Sequence, residues 1–319
     1  MAQDPRVAFA HNRWVHRFAM LTAGATFVLL IAGGLVTSTG SGLAVPDWPT
    51  TFGYNMFLYP WSKMAGGILV EHGHRLIGAG VGLLTLILAL WLWVVERRAS
   101  LRWLGVAAVV LVIVQGILGG LRVVWLDQSL AIVHAALAQA FFALVAGVAF
   151  LTSGDGGETS RKIEGSDAGR VRTLALLTTG VIYLQMILGA VLRHTGTGIG
   201  VHLACGAVVT IQVCWLAAVI FNRYAQEPRL VQPVTLLSAL LFLQLVVGAG
   251  AFLGKFTARG VGLSFHHLVA LTTTHVVVGA LMLAVSLVLT LRVYRVVTAR
   301  VPPIAGQRIP SHSAAGSEA

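Results

Sequence analysis

Apolar residues fall in eight blocks of about twenty, at 18–39, 74–95, 103–121, 131–152, 173–192, 201–221, 232–253 and 268–291. A helix of about twenty such residues matches the hydrocarbon thickness of a bilayer, so the pattern predicts eight transmembrane helices. The odd blocks end alike: Gln115-Gly-Ile-Leu-Gly119-Gly120, Gln185-Met-Ile-Leu-Gly189-Ala190 and Gln244-Leu-Val-Val-Gly248-Ala249, with Gly33-Gly34 at the matching depth of the first. Each even block carries a histidine near its start. The repeat unit is therefore a helical hairpin, used four times.

A second level pairs the hairpins. Thr39-Gly40-Ser41-Gly42 follows the first block and Thr195-Gly196-Thr197-Gly198 follows the fifth. The halves are 18–152 and 173–293, each expected to be a four-helix bundle. The fold class is all-α integral membrane: eight helices in two pseudo-symmetric four-helix bundles. The arm 1–17, the glycine-rich polar linker 153–172 and the proline-bearing tail 294–319 lie outside them, and the tail is expected to be disordered. The first block is too long for a signal-peptide core and is expected to be retained.

Composition narrows the class. The chain is 57% hydrophobic and 10% charged, with a net charge of +11. Soluble domains carry about a quarter charged residues. Sixteen of the 22 Lys and Arg sit in the arm, in the alternate loops 96–102, 153–172 and 222–231, and in the chain from Arg292 onward. That bias places both termini in the cytoplasm, and the expected location is the bacterial cytoplasmic membrane, as a multi-pass protein. It accounts for the basic charge without nucleic acid. Cys205 and Cys214 are nine residues apart on one block, about 13 Å along a helix and too far for a disulfide. They are read as packing residues.

Candidate chemistry lies in the histidines. His74, His202 and His275 each precede a Gly-Ala pair by four residues (Gly78-Ala79, Gly206-Ala207, Gly279-Ala280), and His134 precedes Ala138 in the same way. An imidazole with a small residue one turn later suits a flat haem, which needs an axial nitrogen and an unobstructed face. Four such sites suggest two pairs, and so two haems. The plain alternative for each is a histidine bonded to a neighbouring helix. Zinc or copper would want closer clusters with Cys or carboxylate. His266 and His267 compete with His275 but lack the small-residue signature. His72 is off the face that Glu71 and His74 share. His11, His16 and His312 read as surface residues. Arg193, with His194, could neutralise a haem propionate; a positive loop end is the alternative. Glu71, three residues before His74, would lie over the margin of the same porphyrin, or would simply pair with Arg75 or cap its helix. The loop 40–72, the longest connection, reads either as functional or as an interfacial segment.

Three segments together resemble the haem A synthase family: Gly33-Gly34 through Pro46-Asp47-Trp48-Pro49, then Glu71-His-Gly-His74-Arg75, then Leu192-Arg193-His194-Thr-Gly-Thr-Gly. The likeness covers nearly all of 18–293. It implies oxidation of the C8 methyl of haem O to a formyl, giving haem A for terminal oxidases, with haem O synthase and terminal oxidase assembly as partners. His74 and His134 would hold the substrate haem, Glu71 would stand near the reacting methyl, and His202 and His275 would ligate a haem B. Two departures stand out. The first outer loop has no cysteine pair, and Thr37 stands where many relatives are expected to have arginine. The rival readings are a non-catalytic dihaem b-type cytochrome and a haem carrier. The cytochrome would have no need of Glu71 and would be expected to hold its haems at different depths, and the carrier would load haem reversibly with no product.

Overall fold

The computed structural model describes residues 12–154, 163–165, 167–257 and 262–299. The expected disorder of the tail beyond 299, together with His11, His312 and linker residues 155–162 and 166, lies outside the described residues. Among those described are eight long helices: α1 Arg13–Ser38, α2 Gly66–Val95, α3 Ala99–Trp125, α4 Gln128–Leu151, α5 Ala168–Thr195, α6 Ile199–Arg223, α7 Pro228–Phe256 and α8 Phe265–Val296. All are long and apolar enough to cross a membrane.

Polar side chains mark the helix starts. Asn12 accepts from the amides of Trp14 and Val15, Asp127 from Ser129, Glu227 from Arg229 and Ser264 from His267. These caps satisfy amides that have no partner within the helix. Gly196 ends α5 with φ +73°, a left-handed conformation that suits glycine.

Each half is a closed ring of four antiparallel helices. In the first, α1 packs on α2, α2 on α3, α3 on α4, and α4 back on α1; α5 to α8 repeat the scheme. The halves meet through α1, α4, α5 and α8. Leu30, Phe142, Ala280 and Ala284 form a buried cluster on that seam. Exposed Leu83, Leu90, Ile113, Ile211, Phe242 and Val246 face outward, as lipid-facing positions should.

The helices extend past the predicted blocks, most of all at α2, which begins at Gly66 rather than 74. Hydropathy misses this turn because it holds Glu71 and His72, yet both are buried, at 4% and 1% exposure. They bond to the preceding loop, which is therefore shorter than expected. The tail also begins later. Residues Val297–Ala299 (β2) pair in parallel with linker residues Ile163–Gly165 (β1), so part of the linker and the first tail residues are ordered. His16, expected at the surface, is half-buried, with its Nδ1 3.0 Å from the Ala149 carbonyl oxygen. Cys205 and Cys214 are unpaired, and Cys214 is exposed.

The outer loop is built against α2 and α3. Arg75 donates to the carbonyls of Val45, Asp47 and Thr50 and to Glu71. The Trp48 indole fills the space where a side chain on Gly120 of α3 would stand. Gly120→Ala should therefore displace Trp48 and cost about 1–3 kcal/mol, read as a lowered unfolding temperature in detergent. Gly116→Ala, where a methyl meets open space, should leave the transition nearly unchanged.

Candidate functional site

The four hairpins share one local contact. A Cβ added to Gly33 of α1 would stand 3.1 Å from the His74 ring of α2; one at Gly119 of α3 would stand 3.1 Å from His134 of α4. Gly189 and Gly248 relate in the same way to His202 and His275, at 3.2 and 2.8 Å. Each imidazole therefore lies against bare backbone of the preceding helix. The glutamines four residues before these glycines reach the same histidines. Gln115 Nε2 donates to the His134 carbonyl (3.1 Å) and Gln185 Nε2 to that of His202 (3.0 Å). The repeat was visible in the sequence. That its glycine and glutamine touch histidine was not.

The small residues one turn after the histidines have a second use. Side chains at Gly206 and Gly279 would stand 3.3 and 3.4 Å from the amides of Gln185 and Gln244, so these glycines make room for glutamine.

In the C-terminal half, His202 and His275 project from diagonally opposite helices with ring centroids 6.3 Å apart. Two imidazoles on one metal, at roughly 2 Å per bond, place their ring centres about 6 Å apart. Gln185 Nε2 lies 3.3 Å from His202 Nε2, and Gln244 Nε2 equally far from His275 Nε2. An amide nitrogen only donates, which assigns a lone pair to both Nε2 atoms and the protons to Nδ1. The two Nδ1 atoms are buried without a partner. Neutral imidazoles with Nε2 lone pairs are metal-ligating forms, so the donor set fits a bis-histidine haem. His266 and His267 are exposed near the start of α8, away from this pairing.

In the N-terminal half, His134 lies within electrostatic reach of His74, Arg122 and His194. His134 Nδ1 lies 3.1 Å from the Gln115 carbonyl oxygen, which holds the proton there and leaves Nε2 free to ligate. The His74 hairpin has Leu29 at the glutamine position, and His74 Nδ1 is buried without a partner. All four histidines stand within about three turns of the same end of their helices, so the two pairs share one side of the bilayer. Among the described residues no three His, Cys, Asp or Glu gather as a metal-ion cage.

Glu71 stands three residues before His74 on α2, and Ile199 holds the matching place before His202. Its Oε1 accepts from Arg75 (2.9 Å) and its Oε2 from the Val45 amide (2.9 Å). Arg122 is within electrostatic reach of it and donates to the Gly42 carbonyl. The pairing with Arg75 is thus present, whereas helix capping is not, since α2 starts five residues earlier. His72 points away, with Nδ1 3.0 Å from the Thr51 hydroxyl and its ring against Tyr59.

Arg193 sits on the seam between the halves. It donates to the Gly34 carbonyl (2.8 Å), the Ser38 hydroxyl (2.7 Å) and the Thr272 carbonyl (3.4 Å). Thr272 and Thr273 also donate to Ser38, each at 2.9 Å. Sequence reasoning missed Ser38, Thr272 and Thr273, because single hydroxyls on apolar helices carry no pattern.

Asp47 braces the loop. It accepts from the Thr50 hydroxyl and from the Phe52 and Gly53 amides. Burial pushes its carboxyl up, but these bonds outweigh burial and hold it below its ordinary 3.8. A carboxyl lowered by folding stabilises above its unfolded pKa and loses that contribution as pH falls through its folded pKa. Protection of the Phe52 and Gly53 amides, taken relative to their intrinsic exchange rates, should hold down to about pH 4 and fall only below it. Asp47→Asn should remove that pH dependence.

The family described as cytochrome oxidase assembly protein matches residues 61–201, a stretch that takes in Glu71, His74, His134 and Arg193. The haem A synthase of Shouchella clausii is 28% identical over 242 residues, 74% of this chain and 76% of that protein. That of Alkalihalophilus pseudofirmus is 30% identical, over 56% of this chain and 59% of its own length. That of Geobacillus kaustophilus is 28% identical, over 66% and 64%. The chain thus spans between about three fifths and three quarters of the length of these relatives.

Proposed function

We propose that the chain is a haem A synthase, a reading supported by its likeness to that family, and that it oxidises the C8 methyl of haem O to the formyl of haem A through a hydroxymethyl stage. One observation carries the reading: an imidazole packed on bare glycine recurs in four hairpins, which supports two pairs, and a buried carboxylate, Glu71, stands one helical turn before a histidine of only one pair. His74 and His134 would hold the iron of haem O as substrate. His202 and His275 would hold haem B, which when bound supplies a redox centre beside the reacting half.

The protein's own part is placement and charge. Glu71 is fixed at both oxygens, so it needs no reorganisation to stabilise positive charge at the reacting carbon or to accept a proton from it. The bonds of Arg193 use three of its five donors, and the others would meet a propionate. We place the protein in the bacterial cytoplasmic membrane with both termini inside. Haem O would come from a haem O synthase and the product would pass to terminal oxidase assembly.

The dihaem cytochrome reading has one observation on its side. Arg75 and Val45 already engage Glu71 and give it a structural reason to be there. Haem extracted from the purified protein after haem O is supplied, identified by mass, decides between the two. Haem O, its hydroxylated form, haem A and haem B together indicate the enzyme; haem B alone indicates the cytochrome. Glu71→Gln should lower haem A formation by about 100-fold or more with haem content retained. Conversion at the normal rate would remove Glu71 from the chemistry.

The haem B site has its own check. His275→Ala should cost one haem B per chain, and Gly248→Leu should do the same by displacing the ring. His266→Ala and His267→Ala should keep the full complement, counted by absorbance of the extracted haem.

A further inference from the structure

Three arginines stand at the histidine end of the helices, and they differ in how many of their donors the protein engages. A guanidinium has five N–H groups. Arg75 has four engaged, by the carbonyls of Val45, Asp47 and Thr50 and by Glu71. Arg193 has three engaged. Arg122 has one: its Nη2 donates to the Gly42 carbonyl, 2.9 Å. Among the described residues its other donors meet no acceptor, and it belongs to no salt bridge.

The side chain is nevertheless half-buried and held in one place. A Cβ on Gly42 would stand 2.5 Å from Nη2, so the guanidinium lies flush on bare backbone of the outer loop. Its position ties it to the first histidine pair. Arg122 is one turn beyond Gly119 on α3, the glycine that backs His134, and residues three apart share a helix face. It lies within electrostatic reach of His74, His134, Glu71 and Arg75. Glu71, the carboxylate of that group, already has Arg75 at 2.9 Å. Two cations thus share one anion, and a half-buried charge without a partner favours the arrival of another.

We propose that Arg122 receives a propionate of the haem held by His74 and His134, and so fixes which edge of the ring faces Glu71. The inference rests on the haem A synthase reading. A guanidinium with adjacent free donors matches a carboxylate in charge and geometry. Each propionate of a haem shares its pyrrole ring with a methyl, and the C8 methyl of haem O is one of these. A propionate bound at Arg122 therefore brings such a methyl toward Glu71 and turns the methyls of the other rings away. Arg75 is bound up in bracing the loop, whereas Arg122 is a positioning residue for substrate.

The test compares haem O with its dimethyl ester, which differ in carboxylate charge alone. Each is titrated into the purified full chain and followed by haem absorbance, and a His74→Ala chain in parallel identifies the first-site component. Haem O should bind there about tenfold more tightly than the ester. Arg122→Gln should bring the acid down to the affinity of the ester and leave the ester unchanged; Arg122→Lys should keep part of the difference. Lys63→Gln, which removes an exposed cation of the outer loop, should leave both affinities as they are. Equal binding of acid and ester by the wild type, a preference kept in Arg122→Gln, or one lost equally in Lys63→Gln would each overturn the proposal. Should Arg122→Gln lose the wild-type unfolding temperature, Gly42→Ala decides alone. Its methyl must push the guanidinium off the Gly42 carbonyl, so the preference should fall, and an unchanged preference overturns the role. Affinity is read without turnover. A chain that keeps the preference but makes no haem A loses the reaction and retains the propionate contact; one that makes haem A while binding acid and ester alike loses the contact alone.

Discussion

An imidazole ring laid against the bare backbone of the next helix is the contact on which the rest depends. A flat ring can enter a helix–helix interface only where the facing residue has no side chain. The glycine sets the register of each hairpin and the depth of each histidine. Four repeats of that constraint bring four nitrogen donors to one side of the membrane, on helices that stand diagonally opposite within each bundle. His134 places its Nδ1 at the Gln115 carbonyl, whereas Nδ1 of His74, His202 and His275 is buried without a partner.

The duplicated scaffold is not chemically symmetric. Three hairpins place a glutamine beside the histidine; the first has Leu29 there. That same hairpin is followed by the long outer loop, whose carbonyls converge on Arg75 and whose Val45 amide binds Glu71. The second half has Ile199 at the position matching Glu71, three residues before His202. A charged, hydrogen-bonded lid over one bundle and an apolar helix start over the other give two similar cradles different surroundings. That asymmetry is what the proposed division into a substrate site and a haem B site would need.

The seam couples the two cradles mechanically. Gly33 packs on His74, and its neighbour Gly34 accepts from Arg193 and packs on Thr273. Thr273 lies two residues before His275 and shares Ser38 with Thr272 and Arg193. A shift of either histidine pair would strain that knot of hydroxyls and guanidinium, so the separation of the two sites is held by short, directional bonds at the end nearest the chemistry.

The sequence alone determined the eight spans, their pairing into hairpins and halves, and which histidines recur, because hydrophobic length and repetition are local and survive without coordinates. The Glu71–Arg75 pairing was open as one of two alternatives. Only the tertiary structure decided that α2 begins a full two turns early, since Glu71 and His72 look like loop until their partners Arg75, Val45 and Thr51 are in place. It also decided which glycine faces which ring, that Trp48 occupies the space over Gly120, and that Ser38, Thr272 and Thr273 meet Arg193 on the seam. Those facts depend on which faces of separate segments meet, across separations that reach 235 residues between Ser38 and Thr273, and no one-dimensional pattern records them.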